Sequence, residues 1–325
     1  MFILIWAVLW AGAVLAGGNF NKAGRTSMQF LKIGIGARPA AMGEAVIANM
    51  QDVTAVFWNP AAITGIQNGE AAFSYTKWFS DLNLTSGAVG YRLGSLGVVA
   101  VDYIALDYGD IQEALVTSPT GQLDTRTGTF FSGGDLSVGL SYSRMVTDKL
   151  SIGVRAKYVR EELFTFTSSL WAFDFGSYYD TGWQGIRLAM SAQNFARPAR
   201  WLLTGQETDQ SFDVPLLFRV GWSIDLLGGE NLLLGGRASR QKLSVNMDAI
   251  HSNDYAERLH MGAEYILLDL LALRAGYRFN YSEGNLSLGG GLKVESRSLQ
   301  MRVDYAFVDY DFLDSPHRLS LSVVF

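Results

Sequence analysis

Apolar and polar residues alternate along most of this chain. At its end, Leu319, Leu321, Val323 and Phe325 fall on one face of an extended segment, and Arg318, Ser320 and Ser322 fall on the other. Along 271–279, Leu271, Leu273, Ala275, Tyr277 and Phe279 oppose Arg274, Gly276 and Arg278. Leu299, Met301, Val303, Tyr305 and Phe307 oppose Gln300, Arg302 and Asp304, and Leu216, Phe218, Val220, Trp222 and Ile224 oppose Arg219, Gly221 and Ser223. A two-residue period specifies β-strands with one apolar and one polar face. Such segments start near Glu70, Leu84, Leu96, Phe130, Leu150, Leu170, Gly185, Val214, Asn231, Arg258, Leu271, Asn285, Leu299 and His317. At about ten residues each and a tilt of about 40°, they would rise roughly 25 Å, the height of an outer-membrane apolar band.

The predicted fold class is therefore all-β: a transmembrane antiparallel β-barrel of about 14 strands over residues 70–325. A half-apolar strand at a sheet edge invites pairing with other chains; a closed barrel has no edge, and lipid covers its apolar face. Short connections are expected at Gly94-Ser95, Val146–Lys149, Asp180–Gln184, Leu227–Glu230, Leu268-Asp269 and Glu295–Arg297. Longer ones are expected at about 105–129, 161–169, 196–213, 241–256 and 309–316. Tight turns at one end and free loops at the other are the outer-membrane pattern, and an even strand count puts both termini in the periplasm. A propeller would need a blade-length repeat, and none recurs. Trp78, Tyr91, Tyr158, Tyr265 and Tyr310, near strand ends, suggest interfacial aromatic girdles.

Composition agrees. Of 325 residues, 49% are hydrophobic but only 18% charged, and no internal stretch offers about 20 consecutive apolar residues for a helical span. There is no Cys, which excludes a disulfide framework and thiolate metal sites. The net charge of −5 and the lack of a basic run argue against nucleic acid as a partner. Residues 1–16, MFILIWAVLWAGAVLA, read as a secretory signal peptide with cleavage near Ala16, although no basic residue precedes the apolar run. An uncleaved anchor is the other reading, but the run is short for one.

Residues 17–69 do not alternate. Pro39 can open a helix, and the helix-favouring run AAMGEAVIANM follows it. After Asp52, the segment VTAVFWNPAAI suggests a turn, a short extended piece and a second short helix from Pro60, with Asn59 as its N-cap. A glycine-bearing apolar segment of this size can fold inside the barrel as a plug or hatch; packing against the rim is the alternative. The run GARPAAMGEAVIANMQDVTAVFWNPAAI resembles the N-terminal signature of the PorV/PorQ proteins, a branch of the FadL-like outer-membrane barrels. Arg38, Met42, Gly43, Asp52, Phe57, Trp58, Asn59 and Pro60 carry that likeness. The resemblance implies that residues 17–69 form the hatch of a fourteen-stranded barrel. The end of the chain resembles outer-membrane C-termini, which implies that Phe325 is an assembly signal read by the barrel assembly machinery.

No catalytic constellation stands out, so an enzyme is not expected. His251, His260 and His317 are scattered, and GxSxG, HExxH and phosphate-binding loops are missing. No metal site or cofactor is expected. Arg155, Lys157, Arg187, Arg219, Arg237, Arg274, Arg278, Lys293, Arg302 and Arg318 fall on predicted lumen positions, against fewer inward acids, of which Asp174, Glu264 and Asp304 are candidates. A basic lumen attracts anions such as a fatty-acid carboxylate. Alternatively these cations pair with Glu44, Asp52 and the wall acids to hold the plug.

The resemblance carries two functions. One is a PorV/PorQ-type partner in protein secretion or surface attachment, as in type IX secretion, binding secreted cargo or secretion-system proteins. The other is a FadL-like channel admitting long-chain fatty acids or other hydrophobic ligands. Either places the chain in the bacterial outer membrane, against outer-membrane lipid.

Overall fold

The computed structural model describes residues 24–116, 123–203, 206–228, 241–296, 299–310 and 312–325. The expected signal peptide, Arg237 and the strand start at Asn231 lie outside these. In chain order, the strands are β1 (Gly69–Lys77), β2 (Asn83–Arg92), β3 (Val98–Asp107), β4 (Ile111–Val116), β5 (Leu123–Phe131), β6 (Gly133–Met145), β7 (Leu150–Leu163), β8 (Phe166–Asp180) and β9 (Arg187–Ala196). They continue as β10 (Ala199–Leu203), β11 (Gln206–Phe212), β12 (Leu217–Leu227), β13 (Gln241–Ser252), β14 (Arg258–Leu267), β15 (Leu271–Phe279), β16 (Leu286–Ser296), β17 (Leu299–Val308) and β18 (His317–Val324). Hairpins β4–β5 and β10–β11 belong to loops. The other fourteen strands form one antiparallel ring, closed where β1 pairs with β18 from Glu70↔Val324 to Lys77↔His317. Backbone bonds between Gly69 and Phe325 in both directions, 3.1 and 2.9 Å, complete that seam.

The alternation sets the faces as expected. Leu271, Leu273 and Tyr277 are exposed while Ala272, Arg274 and Arg278 are buried, and β17 and β12 behave alike. The barrel is thus apolar outside and polar inside, the inverse of a soluble protein.

Two loop expectations fail. Residues 161–169 are not a loop: β7 and β8 meet across Phe164 and Thr165, with Phe164 at φ 56. Residues 241–256 are largely β13, whose Leu243, Val245 and Met247 look outward while Ser244, Asn246 and Asp248 are buried inward. The alternation was present there, but Ser, Asn and Asp read as loop residues when their inward face is not considered. β12 therefore ends, and β13 begins, on the side where Phe325 sits.

The plug fills the lumen. Helix α1 (Ala37–Ala41) packs on β15 to β18, the 3₁₀ turn Val53–Phe57 on β1 to β3, and the 3₁₀ turn Pro60–Gly65 on β6 to β8. The helix expected to run through AAMGEAVIANM stops at Ala41, because Gly43 and Glu44 both take positive φ (59° and 65°). Val53–Phe57, expected to be extended, is the 3₁₀ turn just named, capped by the Asp52 side chain on Thr54 N–H at 3.0 Å.

The chain crosses the whole lumen. Ser27 N–H donates to the Asp213 carbonyl (2.9 Å) and Met28 N–H to Glu161 Oε2 (2.9 Å), both at the end opposite Phe325. An even strand count fixes only where the first strand starts and the last one stops. The first described residues, Gly24 to Met28, lie at the other end.

Candidate functional site

The plug meets the wall through backbone contact on one side and charge on the other. A Cβ on Gly153, Gly176, Gly262 or Gly276 would collide with plug atoms of Asn59 to Ala61 or of Met42 and Gly43. Gly43 N–H then reaches Ser287 Oγ at 3.0 Å, and Val46 and Ile47 N–H reach Asp248 Oδ2 at 2.8 and 3.1 Å. Wall glycines thus let plug backbone lie against wall backbone.

The motif residues have local jobs. Asn59 Oδ1 caps the turn from Pro60 by accepting from Ala61 N–H (3.1 Å), while its Nδ2 donates to the Ser177 carbonyl (3.0 Å). Trp58 Nε1 donates to the Ile35 carbonyl (3.0 Å), and the Arg219 guanidinium lies 5.0 Å over its ring. Phe57 sits 5.7 Å from Arg155. Met42 is fully buried.

Arg38 and Asp52 enter a closed circuit of six charges. Arg302 donates to Asp52 (2.7 Å) and to Asp304 (2.9 Å). Arg274 donates to Asp304 and to Glu264, each at 2.7 Å. Arg38 donates to Glu264 (2.8 Å) and back to Asp52 (3.3 Å). Burial pushes the Asp52 carboxyl up, but Arg302 and Arg38 outweigh it and hold it down at about 2. On the Phe325 side the circuit faces adjoining cavities of ≈370 and ≈240 Å³, both bordered by Arg38, Asp52, Glu264 and Arg302. Lys293 lines the larger cavity, and Arg187, bonded to Asp225, lines the smaller.

The remaining lumen cations are placed elsewhere. Arg155 bonds Asp102 and Asp174, and Lys157 bonds Asp174 (2.8 Å) and Asn194 (2.6 Å), all on the wall. Arg278 meets Glu44 at 3.5 Å, and Arg318 bonds the Gly34 carbonyl. Towards the opposite mouth, Arg258 lies between the rings of Tyr255 (3.5 Å) and Tyr281 (4.0 Å). Tyr310 packs on Phe79, and Trp78 on Arg318, so Trp78 and Tyr310 belong to this inner stack rather than to an outer girdle. Asp254, beside Lys32 (2.6 Å), would be raised by burial, but hydrogen bonds from Lys32 and Ser252 bring it below the ordinary range.

Sequence reasoning missed the inward acids Asp102, Asp248 and Glu70. Asp102 had a signal, since Val101 and Tyr103 flank it on the outward face.

No family model matches this chain, and no curated protein does. Solved structures do. The toluene transporter TbuX of Ralstonia pickettii matches at TM-score 0.57 and 15% identity, covering 89% of this chain and 97% of that one. The CymD monoaromatic hydrocarbon channel matches at 0.57 and 13%, covering 89% and 96%. A Pseudomonas aeruginosa FadL homologue matches at 0.54 and 12%, covering 89% and 97%. The fold is FadL-like. Identities this low establish architecture, a fourteen-stranded antiparallel barrel, and leave function to the residues.

Proposed function

We propose that this chain is an outer-membrane channel for small hydrophobic molecules. The apolar outward face needs lipid around it, and the polar lumen suits the inside of a membrane barrel. The structures it resembles are described as transporters or channels for toluene and other monoaromatic hydrocarbons. One observation carries the reading. On the outer face a groove of ≈500 Å³ is lined by Ala71, Phe73, Gly87, Val89, Val101, Leu321 and Val323. Directly inside, a pocket of ≈20 Å³ beside Ile35, Pro39 and Phe57, lined also by Arg38, Arg302 and Asp304, shares Ala72, Phe73 and Leu321 with that groove. Small side chains make the wall thin here, although the pairing of β18, β1, β2 and β3 is unbroken. An apolar solute would cross between β1 and its neighbours, into or out of the bilayer.

The test is uptake of toluene and of a long-chain fatty acid by cells with and without the protein. Ala71→Phe, which fills the groove from the lipid side, should lower uptake while the barrel still assembles. Equal uptake in cells lacking the protein would overturn the channel.

A second reading, partner binding of the PorV/PorQ type, is favoured by Phe312 and Leu313, which stand 86% and 50% exposed on the loop between β17 and β18. An exported protein that co-purifies and is lost on Phe312→Ser would move the function there.

A further inference from the structure

In the half of the lumen away from Phe325, plug and wall meet around Gly34. Its carbonyl accepts from Arg318 on β18, and a Cβ at this position would collide with the Glu44 carboxylate and the Trp58 ring. Arg219 on β12 lies over that same ring, and Arg278 on β15 meets Glu44. Arg258 on β14 shares the Tyr281 ring with Arg278, at 4.0 and 4.7 Å from its centre. Four guanidinium groups thus gather within one or two side chains of Gly34.

The acids are fewer. Among the described residues, the carboxylates within electrostatic reach are Glu44, Asp248 and Asp254, and Asp254 already balances Lys32. Adding Glu283, in the loop before β16, whose buried Oε2 meets no donor, still leaves the cations in excess. Hydrogen bonding falls short as well. Arg219 and Arg318 are only 5% and 1% exposed, yet Arg219 Nε and Nη1 and Arg318 Nε have no partner among the described residues. Buried charges are ordinarily paired, and buried N–H groups ordinarily satisfied. Water would meet the donors and leave the charge. Turning Arg219 towards the unmet Oδ1 of Asp248 would leave Arg258, Arg278 and Arg318 facing Glu44.

We propose that a small inorganic anion of chloride size resides here between plug and wall, held by the unmet N–H groups of Arg219, with Arg278 and Arg318 supplying the surrounding positive charge. The available space sets its size. The cavities of ≈370, ≈240, ≈20 and ≈500 Å³ are lined by other residues. The occupant is therefore a single atom wedged between side chains, not the head group of a hydrophobic solute. The wall network of Asp102, Arg155, Asp174 and Lys157 is the natural contrast, because there two cations meet two acids and no anion is called for.

The experiment is thermal melting of the whole protein in a non-ionic detergent, followed by tryptophan fluorescence. Sodium chloride replaces sodium gluconate stepwise at one ionic strength. Chloride should raise the midpoint along a saturating curve, by a few degrees, as a ligand of the folded state does. Arg219→Gln should lose about half of that rise or more. Asp102→Asn should melt lower in both salts and keep the rise in full. Equal midpoints for the native protein in the two salts, the outcome if water alone fills the gap, would overturn the site. So would a rise that Arg219→Gln keeps in full. Should Arg219→Gln not assemble, crystals of the native protein grown in sodium bromide decide the matter. An anomalous peak in contact with Arg219 supports the site, and none there overturns it. The site takes nothing from the channel reading, which uptake tests separately.

Discussion

Asp52 does two things with two oxygens. Oδ1 caps the turn that begins at Val53, and Oδ2 takes Arg302 and Arg38. Its carboxyl is held at about 2, below the ordinary value of about 3.9 for an unfolded chain. A carboxyl depressed by folding contributes stability that is complete above the unfolded value and is lost as pH falls through the folded one. The native protein should therefore melt higher than Asp52→Asn at pH 6, by on the order of 2 kcal/mol, and the two should converge between about pH 4 and pH 2. Heat-modifiable gel mobility measures this; a gap that persists at pH 2 would mean that the charge of Asp52 is not what fastens the plug. The sequence pointed to Asp52 and Asn59 because capping is local chemistry between neighbours. It could not show that Arg38 joins the Glu264–Arg274 pair of the β14–β15 hairpin, because Arg38 and Glu264 are 226 residues apart and meet only in the folded barrel.

At the scale of elements, the strands were legible and the plug was not. An inward–outward period repeats along every wall strand, so thirteen of the fourteen starts fell within a few residues of those observed. The exception was β13, whose inward Ser244, Asn246 and Asp248 resemble a loop. The plug has no period to read. Its helix ends early because Gly43 must turn to meet Gly276, a contact between residues 233 apart in sequence. Wall glycines give this scale its prediction. A methyl on Gly276 would run into the backbone of Met42 and Gly43, whereas one on Gly290 meets only the Ala272 carbonyl at 3.5 Å. Gly276→Ala should cost about 1–3 kcal/mol by overpacking, and Gly290→Ala should cost almost nothing. Equal melting of the two variants would mean that the plug does not rest on the wall as described.

For the molecule as a whole, the plug is a thread as well as a stopper. It is tied at one mouth by Ser27 to the Asp213 carbonyl and by Lys32 to Asp254. At the other it is tied by Arg92 to the Ile66 carbonyl (2.6 Å) and by Thr64 to Ser151 (3.0 Å). Between these points the segment lies inside the ring of wall strands. Threading also puts Arg25 and Leu96 on opposite sides of the membrane. Arg25 is exposed beside the first of these ties, and Leu96 is 65% exposed in the turn between β2 and β3, at the Phe325 end. In a chain without Cys, Arg25→Cys and Leu96→Cys can each be probed on intact cells with a membrane-impermeant maleimide. One should react and the other should not; if the turns face the periplasm, as in other outer-membrane barrels, the reactive one is Arg25→Cys. Reaction at both, or only after lysis for both, would mean that the segment doubles back inside the barrel.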